Sequence, residues 1–171
     1  MARTVILYPD RRLRQVSVNV EKFDSWLDTL LDDMNIAMLE RNGVGLAAIQ
    51  VGEPVRAFIV NTPNEEGAQL PENLLEIINP KIVKSEGAIL WNEGCLSIPE
   101  YTEEIERFAS VTLEYQDRKG EYFEIEAEGL FAIAIQHEMD HLDGKLFIDR
   151  LPLLKRKKFE KERRKAMKEN G

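Results

Sequence analysis

The sequence predicts an α+β protein: mainly antiparallel sheets packed around a buried HExxH helix, with a long N-terminal helix and a basic C-terminal helix. Three observations predict this. Apolar residues recur at spacings of three and four in some segments and at two in others, the mark of separate helices and strands. Between Ser110 and Glu126, apolar and polar residues alternate on both sides of a DRKG turn, which is a hairpin pattern. Helical and strand segments come in blocks, without the βαβα order of a parallel sheet.

The first helix spans Ser25 to Arg41. Trp26, Leu27, Leu30, Leu31, Met34, Ala37 and Met38 form its apolar face, with Ser25 as N-cap and Gly43 as the C-terminal stop. Gly43 to Gln50 then reads as a loop that leads through Val51-Gly52-Glu53-Pro54 into a strand over Val55 to Val60. Residues 62–73, with two prolines, three acids and no periodicity, read as a surface loop. A strand follows over Leu75 to Val83, and Pro99 is expected to end regular structure after Cys95. From about Leu130 to Leu142 the chain is apolar on every side, as in a buried helix. A third helix begins near Pro152, is mostly solvated, and offers an ion pair between Glu160 and Arg164.

Composition narrows the class. A chain of 171 residues is long enough to bury a core without disulfides, and its one cysteine cannot form an internal one. No apolar run approaches the roughly 20 residues of a membrane span, and the N-terminal segment lacks a signal-peptide pattern. A cytoplasmic setting without membrane contact is therefore expected, where a lone thiol stays reduced. The net charge of −8 is unevenly spread. Residues 151–171 hold nine Lys/Arg against three Glu, a net of +6, which leaves −14 on the remainder. The expected organisation is a domain over 1–150 and a basic helical extension over 151–171. An acidic body excludes sequence-specific nucleic-acid binding there and confines any polyanion contact to the tail.

The chemistry concentrates in Gln136-His137-Glu138-Met139-Asp140-His141. HExxH within a helix places two imidazoles on one face, four residues apart, where they can share a metal, with Glu138 beside it. An accidental match is a poor alternative, because these polar residues interrupt an apolar helix and would be costly to bury unpaired. A catalytic site needs a further ligand. Both histidines are already used, so that ligand is a carboxylate or Cys95. Gly43 to Ala48 formally matches a dinucleotide-binding glycine pattern, but it follows a helix and leads to a strand, the reverse of what that function requires. Gln50, taken alone, is a satisfied amide.

GVGLAAIQ, EGCLS and QHEMDH, in this order and separation, resemble the three signature motifs of the peptide deformylases, and the resemblance runs from TVILYPDRRLR to about Leu154. It implies a metal-dependent hydrolase that removes the formyl group from the initiator methionine of nascent polypeptides, releasing formate. It implies Cys95, His137 and His141 as ligands of one divalent metal, with Fe2+ expected and Zn2+, Ni2+ or Co2+ possible. Glu138 would be the general acid/base, and Gln50 with the backbone N–H of Leu96 the oxyanion site. Val44, Leu130 and Ile133 would wall a methionine pocket, while backbone groups of Val44, Gly45 and Gly94 pair with an extended N-formylmethionyl peptide. Arg107 is expected to pair with Glu93. An arginine common in the family seven residues after the cysteine is here Thr102. The basic C-terminal helix resembles those that dock on the ribosome. The alternatives are another HExxH amidase or endopeptidase, and a non-catalytic protein with a structural metal.

Overall fold

Helix α1 (Ser25–Glu40) is capped by Asp24, whose carboxylate accepts the Leu27 N–H at 3.3 Å, so the cap lies one residue before the expected Ser25. A carboxylate in extended backbone reaches the N3 amide as a seryl hydroxyl does, and it also suits the positive helix end. At the other end, Gly43 N–H bonds Met38 O at 3.0 Å and Asn42 N–H bonds Leu39 O at 3.2 Å. Asn42, with φ 56°, supplies the left-handed residue expected at Gly43. Leu27, Leu30, Leu31, Met34, Ala37 and Met38 are buried as expected, whereas Trp26 is 44% exposed. It stands about 100° round the helix from Leu27, at the margin of the apolar stripe.

The computed structural model describes residues 3–170, apart from the side chains of Glu169 and Asn170. Met1, Ala2 and Gly171, which bound the expected domains, lie outside the described residues. Five antiparallel strands form one sheet in the order β1-β2-β3-β6-β7: β1 (Gly45–Ala47), β2 (Ala57–Val60), β3 (Leu75–Glu86), β6 (Ser110–Gln116) and β7 (Tyr122–Glu128). A separate hairpin comprises β4 (Ile89–Cys95) and β5 (Ile98–Arg107). The pleat sorts side chains between two cores. Leu46, Ile59 and Ile78 join α1, while Ala47, Phe58, Val60 and Ile77 join α2 (Gly129–Leu142) on the opposite face. A third cluster gathers Ile98 and Ile105 of β5 with Phe147, Ile148 and Phe159 from the C-terminal segments.

Three expectations are corrected. Gly43 to Gln50 is not a simple loop, since residues 45–47 pair with β2 as its edge strand and Ala48–Val51 form a single 3-10 turn. Pro99 does not end regular structure. It is the second residue of β5, in the stretch 99–101 that a register shift leaves without β4 partners between Cys95↔Ile98 and Gly94↔Thr102, where a missing N–H breaks no ladder bond. Glu160 pairs with Arg156 at 3.4 Å, not with Arg164, whose guanidinium donates to the Glu160 carbonyl. Arg156 is also held by Asp149 at 3.3 Å, which sets its guanidinium beside Glu160. Helix α3 (Leu153–Asn170) is otherwise largely solvated, with Pro152 at its start accepting the Arg156 N–H. Among the described residues, no helix is long and apolar enough to cross a membrane.

Candidate metal centre

Helix α2 lies buried against the sheet and carries His137 and His141 on one face, with their Nε2 atoms 3.2 Å apart. Strand β4 ends at Cys95, whose Sγ is 3.5 Å from His141 Nε2. The three ligating atoms lie within 4.8 Å of one another. At ordinary metal–ligand distances of about 2.0–2.3 Å, neighbouring corners of a tetrahedron fall at such separations, so this donor set fits one ion. Burial and the nearby His137 hold His141 well below its ordinary pKa, so it is neutral and offers a lone pair near neutral pH.

The other side of His137 is built equally closely. Its Nδ1 is 3.0 Å from Glu93 Oε1. An ionised carboxylate only accepts, so Nδ1 carries a proton and donates it to Glu93, which leaves Nε2 to face the cysteine as the ligating nitrogen. Arg107 grips Glu93 with two bonds of 2.7 and 2.8 Å, as the sequence reading expects, and both groups are buried. A further bond of 2.7 Å joins Arg107 to Asp140, which also accepts two bonds of 2.8 Å from Arg150. Burial alone would raise the Glu93 and Asp140 pKa values, but these guanidiniums outweigh it and hold both carboxyls low. Asp140, Arg150 and their place in this chain escape a sequence reading. The one available signal is an acid inside HEMDH on a helix with no solvated side.

Glu138 is buried, and burial pushes its carboxyl up to about 7. Among the described residues its Oε1 is buried without a hydrogen-bond partner, on a residue that lines the space beside the ligand cluster. A Cβ on Gly45 would stand 2.6 Å from the other oxygen, so glycine here lets β1 pass without displacing the carboxylate. Gln50 accepts the Ala47 N–H at 2.9 Å and donates to Ser97 Oγ at 3.0 Å and Cys95 Sγ at 3.6 Å. These partners set the amide with its nitrogen toward the cysteine. Leu96 and Ser97 form the two-residue turn between β4 and β5, and Tyr8 N–H holds the turn through Ser97 O at 2.7 Å.

One cavity of about 630 Å³ opens over this cluster. Val44, Gly45, Gln50, Gly94, Cys95, Leu96, Leu130, Ile133, His137 and Glu138 all line it, so every ligand, catalytic and substrate-binding residue expected from the sequence except His141 reaches its wall. His141 lies beneath, fully buried, as the deepest member of the ligand set. Thr102 lines the mouth opposite Gly94 in the β4–β5 ladder. Arg41, Trp91 and Tyr101 also line the cavity, and no sequence pattern singles them out.

A family model described as polypeptide deformylase matches residues 2–157. The chain belongs to the polypeptide deformylase family. Deformylases of this family are metal-dependent hydrolases that remove the N-formyl group from nascent polypeptides, and the convergent Cys95, His137 and His141 supply a candidate metal group. A peptide deformylase of Wolinella succinogenes is 60% identical over 161 residues, which covers 94% of this chain and 95% of that one. The crystal structure of a peptide deformylase from Legionella pneumophila superposes with a TM-score of 0.88 at 39% identity, covering 100% of this chain and 99% of that one. A peptide deformylase from Acinetobacter baumannii, solved with Met-Ala-Ser bound, superposes with a TM-score of 0.81 at 34% identity, covering 88% and 99%. The likeness to deformylases thus extends through both cores and the β4–β5 hairpin.

Proposed function

We propose that Cys95, His137 and His141 hold one divalent metal ion at the floor of the cavity, and that Glu138, Gln50 and Leu96 deformylate N-formylmethionyl peptides there. The observation that carries this reading is the convergence of three ligand atoms within 4.8 Å beside a buried carboxylate with a free oxygen. When bound, the metal supplies Lewis acidity to the formyl carbonyl and to the attacking water. Glu138, with a pKa of about 7, takes a proton from that water as its oxygen attacks the formyl carbon. The same carboxyl then returns the proton to the methionine nitrogen as the C–N bond breaks, releasing formate and a free amine. Negative charge gathers meanwhile on the formyl oxygen. The Gln50 amide, oriented by Ala47 and Ser97, and the Leu96 N–H donate to it.

Leu130, Ile133 and Val44 form the apolar wall that receives the methionine side chain. Among the described residues strand β1 pairs only with β2, so its other edge is open to an extended peptide, and Gly94 lies across the cavity. Backbone pairing of this kind reads no side chains and accepts many nascent sequences. The Met-Ala-Ser bound to the Acinetobacter enzyme supports such a product-like occupant.

The metal is Fe2+ by family resemblance, and the Cys/His/His set also accommodates Zn2+, Ni2+ and Co2+. On α3, Lys157, Lys158, Lys161, Arg164, Lys165 and Lys168 are exposed, which supports docking to ribosomal phosphates in the cytoplasm. Formate release from formyl-Met peptides by protein purified without oxygen, paired with metal analysis, tests the site. Activity that follows iron content and leaves casein intact is expected. Casein cleavage, or turnover independent of metal, would overturn it. Co-sedimentation with ribosomes, lost on deleting 155–171, tests the docking.

A further inference from the structure

Helix α3 faces the body with a narrow stripe of Arg156, Phe159, Glu160, Arg163 and Ala166, spaced at three and four, while the residues between them are exposed. Phe159, 2% exposed, is the anchor, with its ring centroid 4.5 Å from Tyr101 and 5.5 Å from Tyr8. One turn later Arg163 lies over the Phe159 ring at 5.9 Å and donates to the Pro99 carbonyl at 3.2 Å. Lys155 reaches Glu103 at 3.2 Å. These contacts land on Pro99, Tyr101 and Glu103, alternate residues of β5.

Pro99 and Tyr101, with Glu100 and Thr102 beside them, line the cavity. Glu100 has φ 65°, a left-handed conformation that a non-glycine residue keeps only where its surroundings fix it on both sides. Arg163 holds the residue before it and Phe159 the residue after it. Exposure also rises outward along the cavity. His137 and Glu138 are buried at the floor, while Glu100 and Arg41 are exposed at the mouth. A peptide with its formyl group at the floor must therefore pass Pro99–Thr102 with its later residues.

We propose that Phe159 and Arg163 of α3 are positioning residues for substrate binding, fixing Pro99–Thr102 as the wall that receives the peptide beyond formyl-methionine. This rests on the deformylase reading of the cavity. A basic helix would then serve the cleft with its inner stripe, whatever its outer face binds.

The test compares a formyl-Met dipeptide with a formyl-Met tetrapeptide on the metal-loaded full chain. Arg163→Ala is expected to raise KM for the tetrapeptide about fivefold, the loss of one ordinary hydrogen bond, with kcat and the dipeptide KM essentially unchanged. Arg163→Lys should restore most of the affinity, and Met167→Ala, on the exposed face, should change neither constant. Phe159→Leu keeps an apolar anchor if Phe159→Ala fails to fold, and it should show the same length-dependent shift. Equal KM changes for both peptides, or none, would overturn the positioning role while wild-type turnover leaves the deformylase reading standing. A wild-type chain inactive on both peptides would overturn that reading instead.

Discussion

Gly45 on β1 and Glu138 on α2 meet so closely that a side chain at residue 45 would displace the carboxylate: a Cβ there would lie 2.6 Å from Glu138 Oε2 and 3.2 Å from its Cγ. Glu138 is buried apart from the side that lines the cavity, so a carboxylate pushed by residue 45 would have to leave its present position beside the ligand cluster. Gly45→Ala is therefore expected to displace the carboxylate and lower kcat/KM by about 10²-fold, the cost of a misplacement of about 1 Å. Bound metal and the circular dichroism spectrum should stay as in the wild type. Near-normal turnover would show that the carboxylate position is not critical.

Replacing Glu138 itself separates chemistry from metal holding. Glu138→Gln keeps the shape but cannot accept and return a proton, so kcat should fall by about 10²–10⁴-fold. One equivalent of metal should remain, since Cys95, His137 and His141 are untouched. Full activity in a metal-replete Glu138→Gln sample would remove this residue from the mechanism.

The buried Glu93 orients His137 and neutralises Arg107. In Glu93→Gln, His137 loses its anionic acceptor and Arg107 keeps only Asp140. Metal affinity is expected to fall about 10–100-fold. Stability should fall by about 3 kcal/mol, as when one partner of a buried ion pair is removed. Competitive chelator titration and denaturant unfolding of the metal-free protein read the two effects separately, and no change in either would exclude this orienting role.

Acid sensitivity should trace in part to Asp149, which accepts from Arg14 at 3.1 Å and from Leu146 N–H at 2.9 Å and faces Arg156 at 3.3 Å. Burial works to raise its pKa, but these partners outweigh burial and hold it below the ordinary 3.8. A depressed folded pKa means that the native state favours the anion. The resulting stability is complete above the unfolded value near 3.8 and is lost as pH falls through the lower folded value. Asp149→Asn should therefore be less stable than wild type by a constant amount from pH 5 to 7, a gap that closes below about pH 4. A gap unchanged at pH 3 would show that Asp149 acts by packing rather than by charge.

Much of the fold was legible because periodicity reports one-sided burial. The apolar stripe of α1, the hairpin around Gly120 and the wholly apolar start of α2 each bury one face or all faces, and their sequences say so. The β4–β5 hairpin was not legible. Its turn is Leu96-Ser97, without the glycine or asparagine that marks a tight turn, and β5 presents glutamates at four of its ten positions. Backbone pairing holds such a hairpin, and pairing leaves little trace in side-chain pattern.

By itself the sequence determined the family and pointed to a candidate reacting set: three ordered motifs carry the expected ligands, the expected acid/base and the amide, and composition leaves only two histidines and one cysteine to share. Helical spacing alone places His137 and His141 on one face. The tertiary structure decided how these residues are supported. It set Cys95 3.5 Å from His141, linked His137 through Glu93, Arg107 and Asp140 to Arg150, and laid Phe159 and Arg163 of the basic helix against the wall of the cleft. These contacts join residues 14 to 64 positions apart, apart from the local Asp140–Arg150 link. Local propensity has no access to such distances, because they are closed only when separate elements pack and a buried charge must find its partner.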